Sequence, residues 1–258
     1  MWLLSQQWLQ SSQTLATTER TQTGVDLILE VKPIALEIAR HRGLMAQYLA
    51  GASDKAESIQ QLEQALDQQF ISVMKRLNET TNFKSALPDI EQSWRGLMLA
   101  AIEKNAAKSF AAHTDLIARV HTEIKLLVDY FDIELQSTRD NYYLSQLTLF
   151  QIPELQELLG QLRGRGAAAL TDQIISPEER VTLVGLHFVA KRALTGFEQQ
   201  IQLMSQNPVL VKHFSAAVNR FSTTVADFES MLLKDALATE VIQVTNTAFF
   251  SQATSVID

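Results

Sequence analysis

The stretch "DLIARVHTEIKLLVDYF" at residues 115–131 decides the fold class of this chain. Its apolar residues recur at three- and four-residue spacing, which places them on one face of an α-helix. The members of this face are Ile117, Val120, Ile124, Leu127 and Phe131. The same spacing recurs over residues 62–77. We therefore expect amphipathic helices that pack against one another through these faces.

The rest of the chain continues this helical pattern. Nine glycines and five prolines in 258 residues leave few places for turns, and no segment shows the strict alternation of a strand. We predict an all-α fold whose short connections make neighbouring helices antiparallel. The expected arrangement is one domain of two stacked four-helix bundles that share long helices, over about residues 1–135 and 136–258. The predicted helices cover residues 6–51, 54–80, 88–106, 109–135, 139–171, 177–206, 208–233 and 236–257.

Several helix starts can be read from local residue patterns. "SPEE" at 176–179 combines a capping serine, a proline in the first turn and a glutamate placed to complete a capping box. "NP" at 207–208 is a similar start, and Asp54 with Glu57 suggests another. Pro33 lies inside the first predicted helix and is expected to kink it, because proline removes one backbone donor.

Composition limits the class of protein. Hydrophobic residues make up 46% of the chain and charged residues 20%, as in soluble globular proteins. The net charge of −7 and the lack of a dense Lys/Arg run argue against nucleic acid or an anionic membrane surface as a partner. Without cysteine the chain has no disulfide, thiolate metal site or cysteine nucleophile. No stretch reaches the roughly 18 apolar residues of a membrane-spanning helix, and "MWLLSQQWLQ" at 1–10 lacks the basic leader of a signal peptide.

Two similar segments, "ARHRGLMAQYLAG" at 39–51 and "LRGRGAAALTD" at 162–172, each place an arginine before a glycine within a predicted helix. Glycine costs a helix interior about 1 kcal/mol relative to alanine, so its presence suggests close helix approach or room for a ligand. Arginine suits an anion because its planar fork donates two parallel hydrogen bonds. A duplicated packing notch beside a salt bridge would give the same pattern. A third pair, Arg95–Gly96, keeps that alternative open.

Other polar residues give no pattern typical of an enzyme or a metal site. His113 and His121 are eight residues apart, with no further ligand at helical spacing beside them. Asp129, Asp132 and Glu134 lie near a predicted helix end, where acids are usually solvated. Because no catalytic or phosphate-binding motif occurs either, we predict a chain that is not an enzyme and holds no cofactor or metal.

The segment "HRGLMAQYLAG" resembles the H/E-R-G-L segment in the first helix of nitrate- and nitrite-sensing (NIT-like) domains. The similarity covers about residues 24–205. The other matching segments are "SFAAHTDLI" at 109–117, "DYFDIEL" at 129–135, "DNYYLSQL" at 140–147 and "IPELQELLGQLRGRGAAAL" at 152–170. Such domains form the extracytoplasmic sensor regions of bacterial chemoreceptors, sensor histidine kinases and diguanylate cyclases.

This resemblance implies a periplasmic ligand-binding sensor that forms a homodimer. Its flanking transmembrane helices would lie just beyond Met1 and Asp258, and a kinase or cyclase output domain would lie outside this chain. Trp2 and Trp8 would then suit the membrane interface. A small anion would be held by arginines, and by motif Arg42 and Arg163 carry over. The full set of predicted ligand-binding residues is Arg42, Arg163, Arg165, His41, Tyr142 and Tyr143.

A second function is a receptor module for dimerisation or protein interaction that binds no small molecule. Long amphipathic helices with leftover apolar residues, such as Phe249 and Phe250, motivate this alternative.

Overall fold

A computed structural model describes residues 2–100, 105–135, 138–170, 175–204, 207–237 and 244–257. Within these ranges the fold is all-α and contains no strand, which confirms the predicted class. The chain divides into two compact units, residues 1–138 and 139–258, and the predicted sub-bundles over residues 1–135 and 136–258 stay a prediction. No helix in the described residues is both long enough and apolar enough to cross a membrane.

The first unit is built on four long helices that follow one another around a shared core. Helix α1 packs against α2 and α4, and α3 packs against the same two helices. The apolar face predicted from residues 115–131 is buried, as are the apolar positions of residues 62–77. The elements are α1 (Trp2–Leu49), a 3₁₀ turn (Ser53–Lys55), α2 (Ala56–Thr80), α3 (Leu87–Ala100) and α4 (Ala106–Tyr130).

The second unit begins with one continuous helical stretch in which a π-helical segment interrupts the α-helix. Helix α6 of this stretch packs against α7 and α9, and α8 packs against α9. The elements are α5 (Arg139–Ser145), the first π segment (Gln146–Gln151), α6 (Ile152–Ala169), α7 (Pro177–Met204), α8 (Pro208–Ser230), the second π segment (Met231–Leu237) and α9 (Asn246–Ile257).

The structure confirms two predicted helix starts and corrects two others. Ser176 and Glu179 form the reciprocal capping box. The Ser176 hydroxyl oxygen accepts from the backbone N–H of Glu179 at 3.2 Å, and the Glu179 carboxylate accepts from the backbone N–H of Ser176 at 2.9 Å. The Asn207 side chain accepts from the backbone N–H of Val209 at 3.0 Å, as expected for a cap. The cap predicted at Asp54 is wrong, because that carboxylate binds the Lys55 ammonium at 2.7 Å within the 3₁₀ turn.

The predicted start of the last helix, at residue 236, is also wrong. The second π segment continues α8 to Leu237, and the cap of α9 is Thr245, whose hydroxyl accepts from Ala248 N at 3.2 Å. Pro33 lies within α1, which continues through it as one helix. The apolar spacing of the sequence marks no boundary between α8 and the second π segment, since an α-helix and a π-helix bury similar apolar stripes.

In each unit the first and last long helices approach closely and run antiparallel at a glycine. A Cβ built on Gly24 of α1 would lie 2.5 Å from the Cβ of Phe131, the residue after α4. A Cβ on Gly166 of α6 would overlap the Phe249 ring of α9. Both phenylalanines are buried. Close helix approach therefore depends on Gly24, which follows Thr23, and on Gly166, which follows Arg165.

The start of α3 is held by a buried carboxylate from α4. Glu123 is 1% exposed and accepts from the backbone N–H of Ala86 at 3.2 Å and from the Ser85 hydroxyl. A negative charge at this position complements the positive end of the α3 dipole and satisfies a free backbone donor. Glu123 therefore has a structural explanation.

Candidate functional site

Arg42 joins the first and last helices of the first unit. Its guanidinium donates to the Thr114 hydroxyl of α4 at 2.8 Å and lies 4.7 Å from the centroid of the Phe110 ring. Phe110 and Thr114 are four residues apart and share one face of α4. Arg42 is only 3% exposed, so this cation is held inside the unit against a ring face and a hydroxyl.

Arg163 makes the equivalent contacts in the second unit. Its guanidinium donates to the Thr254 hydroxyl of α9 at 3.2 Å and lies 5.0 Å from the centroid of the Phe250 ring. Both threonine hydroxyls donate in turn to the carbonyl of the phenylalanine one turn earlier, at 2.9 Å for Thr114 and 2.8 Å for Thr254. We call each set of arginine, phenylalanine and threonine a clamp.

The clamps extend the duplication that the Arg–Gly pairs suggested. "FAAHT" at 110–114 and "FSQAT" at 250–254 share the Phe-x-x-x-Thr spacing that faces each arginine. Sequence reasoning missed this second half of the repeat, although aligning the last helix of each half would have found it. Phe249 is fully buried and Phe250 is partly buried beneath Arg163. The expectation that these two residues are leftover surface is therefore wrong.

Beside the first clamp, His41 and His113 form a buried hydrogen-bonded pair. His41 Nδ1 lies 2.8 Å from His113 Nε2, and His113 Nδ1 lies 2.6 Å from the Ser109 carbonyl oxygen. A carbonyl only accepts, so His113 Nδ1 must carry a hydrogen. The neutral His113 ring then accepts at Nε2, and His41 must donate from Nδ1. This order fixes the tautomers of both rings.

The same chain continues to Glu63 on α2. With its hydrogen on Nδ1, neutral His41 has a lone pair at Nε2, which faces the Glu63 Oε1 atom at 3.3 Å. This last link needs a proton, which a protonated Glu63 supplies. Burial, with a smaller effect of nearby Asp67, raises the pKa of Glu63. The chain Glu63–His41–His113–Ser109 is therefore satisfied when its members are neutral.

Burial also keeps the two histidines neutral. It lowers the pKa of His41 to about 3, with an added effect of His113. It lowers the pKa of His113 to about 4, and the nearby Arg42 charge acts in the same direction. The Trp94 ring meets His41 edge-on at 4.8 Å, and its Nε1 donates to Asp67 at 3.3 Å. Four helices thus contribute to one polar cluster in an otherwise apolar core.

The structure does not bring all predicted site residues together. His41 and Arg42 lie in the cluster of the first unit, whereas Arg165 is exposed on α6 of the second. Tyr143 packs beside Leu147 and Phe197, with the Arg139 guanidinium 5.6 Å from its ring. Twenty helical residues separate Tyr143 from Arg163, a distance of roughly 25–30 Å along the axis. Tyr142 is exposed beside Tyr143, so neither tyrosine belongs to the second clamp.

The histidines also do not form a metal site in the described ranges. No group of three His, Cys, Asp or Glu residues there is placed to hold a metal ion. His113 pairs with His41, 72 residues away in the chain, and His121 lies two turns further along α4. The expectations of no metal, no cofactor and no catalysis remain predictions.

Comparison with protein-family models, with curated proteins and with solved structures finds no match to this chain. The resemblance to nitrate- and nitrite-sensing domains therefore stays a prediction. The fold establishes a class, an all-α helical protein. The clamps and the histidine chain are the basis for proposing what such a protein does.

Proposed function

We propose that this chain is a ligand-binding sensor domain of a transmembrane signal-transduction receptor, which recognises a small anion through Arg42 and Arg163. The observation that carries the proposal is the repeated clamp. In both units an arginine from the first long helix meets a phenylalanine and a threonine on the last helix. The resemblance to nitrate- and nitrite-sensing domains supports the same function and implies a periplasmic homodimer with flanking transmembrane helices.

The clamp offers a way to convert binding into helix movement. An anion bound bidentately to a guanidinium would compete with the threonine hydroxyl for the same N–H donors. Loss of that hydrogen bond would change the packing of α1 against α4, or of α6 against α9. Packed helices adopt discrete arrangements, so such a change would be relayed along the helix axes toward an output domain outside this chain.

Calorimetric titration tests this proposal with nitrate, nitrite, acetate and phosphate as probes. At least one anion should bind, and Arg42→Ala or Arg163→Ala should weaken binding tenfold or more, because each change removes a charge-assisted hydrogen-bond donor. Arg95→Ala, at an exposed arginine that also precedes a glycine, is the matched control and should bind as the unchanged chain does. Failure of all four anions, or full binding by both clamp variants, would contradict the proposal.

A dimerisation module remains the second candidate because α1 exposes leucines at multiples of seven residues. Leu15, Leu29 and Leu36 are 60, 56 and 42% exposed and lie along one side of the helix. If this stripe forms an interface, Leu29→Glu with Leu36→Glu should shift a dimer to monomer in sedimentation. Leu126→Glu, at an exposed leucine of α4, is the control. A dimer that survives the double change, or a chain that is always monomeric, would exclude this stripe as the interface.

A further inference from the structure

The second unit contains an apolar cavity separate from its clamp. The cavity has a volume of about 320 Å³, within the range of pockets that bind small molecules. Its walls come from the first π segment and from α5, α6, α7, α8 and α9, including Leu147, Phe197, Phe221 and Ile257. It is therefore a partly open space between the helices of one unit rather than a single exposed helix face.

The cavity lies between two clusters of buried apolar residues, which the partly buried Leu194 and Phe221 connect. One cluster is centred on Leu147, Phe197 and Met204, and the other includes Leu155 and Leu159 of α6. Members of both clusters line the cavity. Protein cores normally pack without voids of this size, so a guest that filled it would add contacts with members of both clusters.

The first π segment shapes this space. Leu147 and Thr148, which belong to it, both line the cavity. A π turn places one extra residue in the helix and moves the following side chains around the axis, and such turns are frequent at functional sites. The distortion thus coincides with the cavity wall.

We propose that this cavity binds a small uncharged molecule with an apolar body and one hydrogen-bond donor. Apolar side chains form most of the lining, and none of the described lining residues is charged. An apolar cavity of about 150 Å³ can hold benzene, so this volume fits about a dozen non-hydrogen atoms. Gln156 supplies the polar contact: its Nε2 donates to the Ile257 carbonyl at 3.2 Å, which leaves its Oε1 to accept from a ligand.

Calorimetry and thermal shift with 1-naphthol test this site. 1-Naphthol should bind, whereas 1-naphthoate should bind at least tenfold more weakly, because the described lining has no cation to offset the loss of carboxylate hydration. Gln156→Leu should weaken 1-naphthol about fivefold to tenfold and leave naphthalene unchanged, because only the naphthol donates a hydrogen bond. Nitrate should not compete with 1-naphthol, so this test is independent of the anion proposal.

Cavity-filling variants locate the binding. Val218→Phe and Ile201→Phe each add a ring to the lining from a different helix and should weaken 1-naphthol at least tenfold. Val181→Phe, at an exposed position of α7, is the matched control and should have no effect. If circular dichroism shows that one filling variant does not fold, the other variant alone tests the site. The proposal is overturned if 1-naphthol does not bind, if a folded filling variant binds it unchanged, or if 1-naphthoate binds equally well.

Discussion

Gly166→Ala is expected to lower the free energy of unfolding of the second unit by about 2–3 kcal/mol, the upper range for overpacking a core. The added methyl would overlap the Phe249 ring, which is fully buried and cannot move into solvent. This cost exceeds the gain of about 1 kcal/mol that alanine brings to a helix interior. Chemical denaturation followed by circular dichroism, with hydrogen exchange at the amides of α6 and α9, measures the change.

Gly185→Ala and Gly196→Ala are the matched controls for this prediction. Both glycines lie within α7 of the same unit, and a Cβ on either would meet nothing within 4 Å. These changes should stabilise the protein by up to about 1 kcal/mol. Adding Phe249→Leu to Gly166→Ala should recover part of the loss, because the smaller side chain leaves room for the methyl. If Gly166→Ala is as stable as the controls, the close approach of α6 and α9 is wrong.

Acidification from pH 7 to pH 4.5 is expected to destabilise the first unit by about 5 kcal/mol through His41 and His113 together, about 2.5 kcal/mol for each. The folded-state pKa values of His41 and His113 are about 3 and about 4, below the ordinary value of 6.5. Between about pH 6.5 and pH 4 the two histidines bind protons in the unfolded chain but not in the folded chain, so the free energy of unfolding falls as pH falls. Glu63 opposes this trend: its raised pKa gives stability at low pH that is lost as pH rises.

Denaturant unfolding at several pH values measures this dependence through tryptophan fluorescence. All three tryptophans lie in the first unit, and Trp94 contacts His41 directly. The double change His41→Gln, His113→Gln should remove most of the slope, whereas His121→Gln on the same helix should not. NMR titration of the unchanged protein provides a second reading, in which both rings should stay neutral down to about pH 4.5. Protonation of either ring near pH 6.5 would contradict the buried chain.

Apolar periodicity was sufficient to predict the helices, because each buries a stripe set by its own local spacing. The capping box at Ser176 was predictable for the same reason, since both partners lie within one turn. The π segments were not predictable, because a π-helix buries the same kind of apolar stripe as an α-helix. The sequence also could not identify Gly166 as the glycine at a close helix contact, because that contact is made by Phe249 on α9, 83 residues further along the chain.

The candidate site shows the same division between local and distant information. Duplication identified Arg42 and Arg163, but their phenylalanine and threonine partners lie 68 to 91 residues away and follow only from helix pairing. Spacing along α4 places His113 near His121, whereas its hydrogen-bond partner in the structure is His41 on α1. Spacing along one helix cannot reveal contacts between helices, which explains why Glu63 was not among the predicted residues.

The central claim, that the clamps hold a small anion, is tested most directly by diffraction from crystals equilibrated with the anion that binds tightest in calorimetry. We predict density for that anion at hydrogen-bonding distance, about 3 Å, from the guanidinium of Arg42 or Arg163, with the corresponding threonine bond lengthened or lost. An anion bound elsewhere, with both guanidinium groups still donating to Thr114 and Thr254, would contradict the claim.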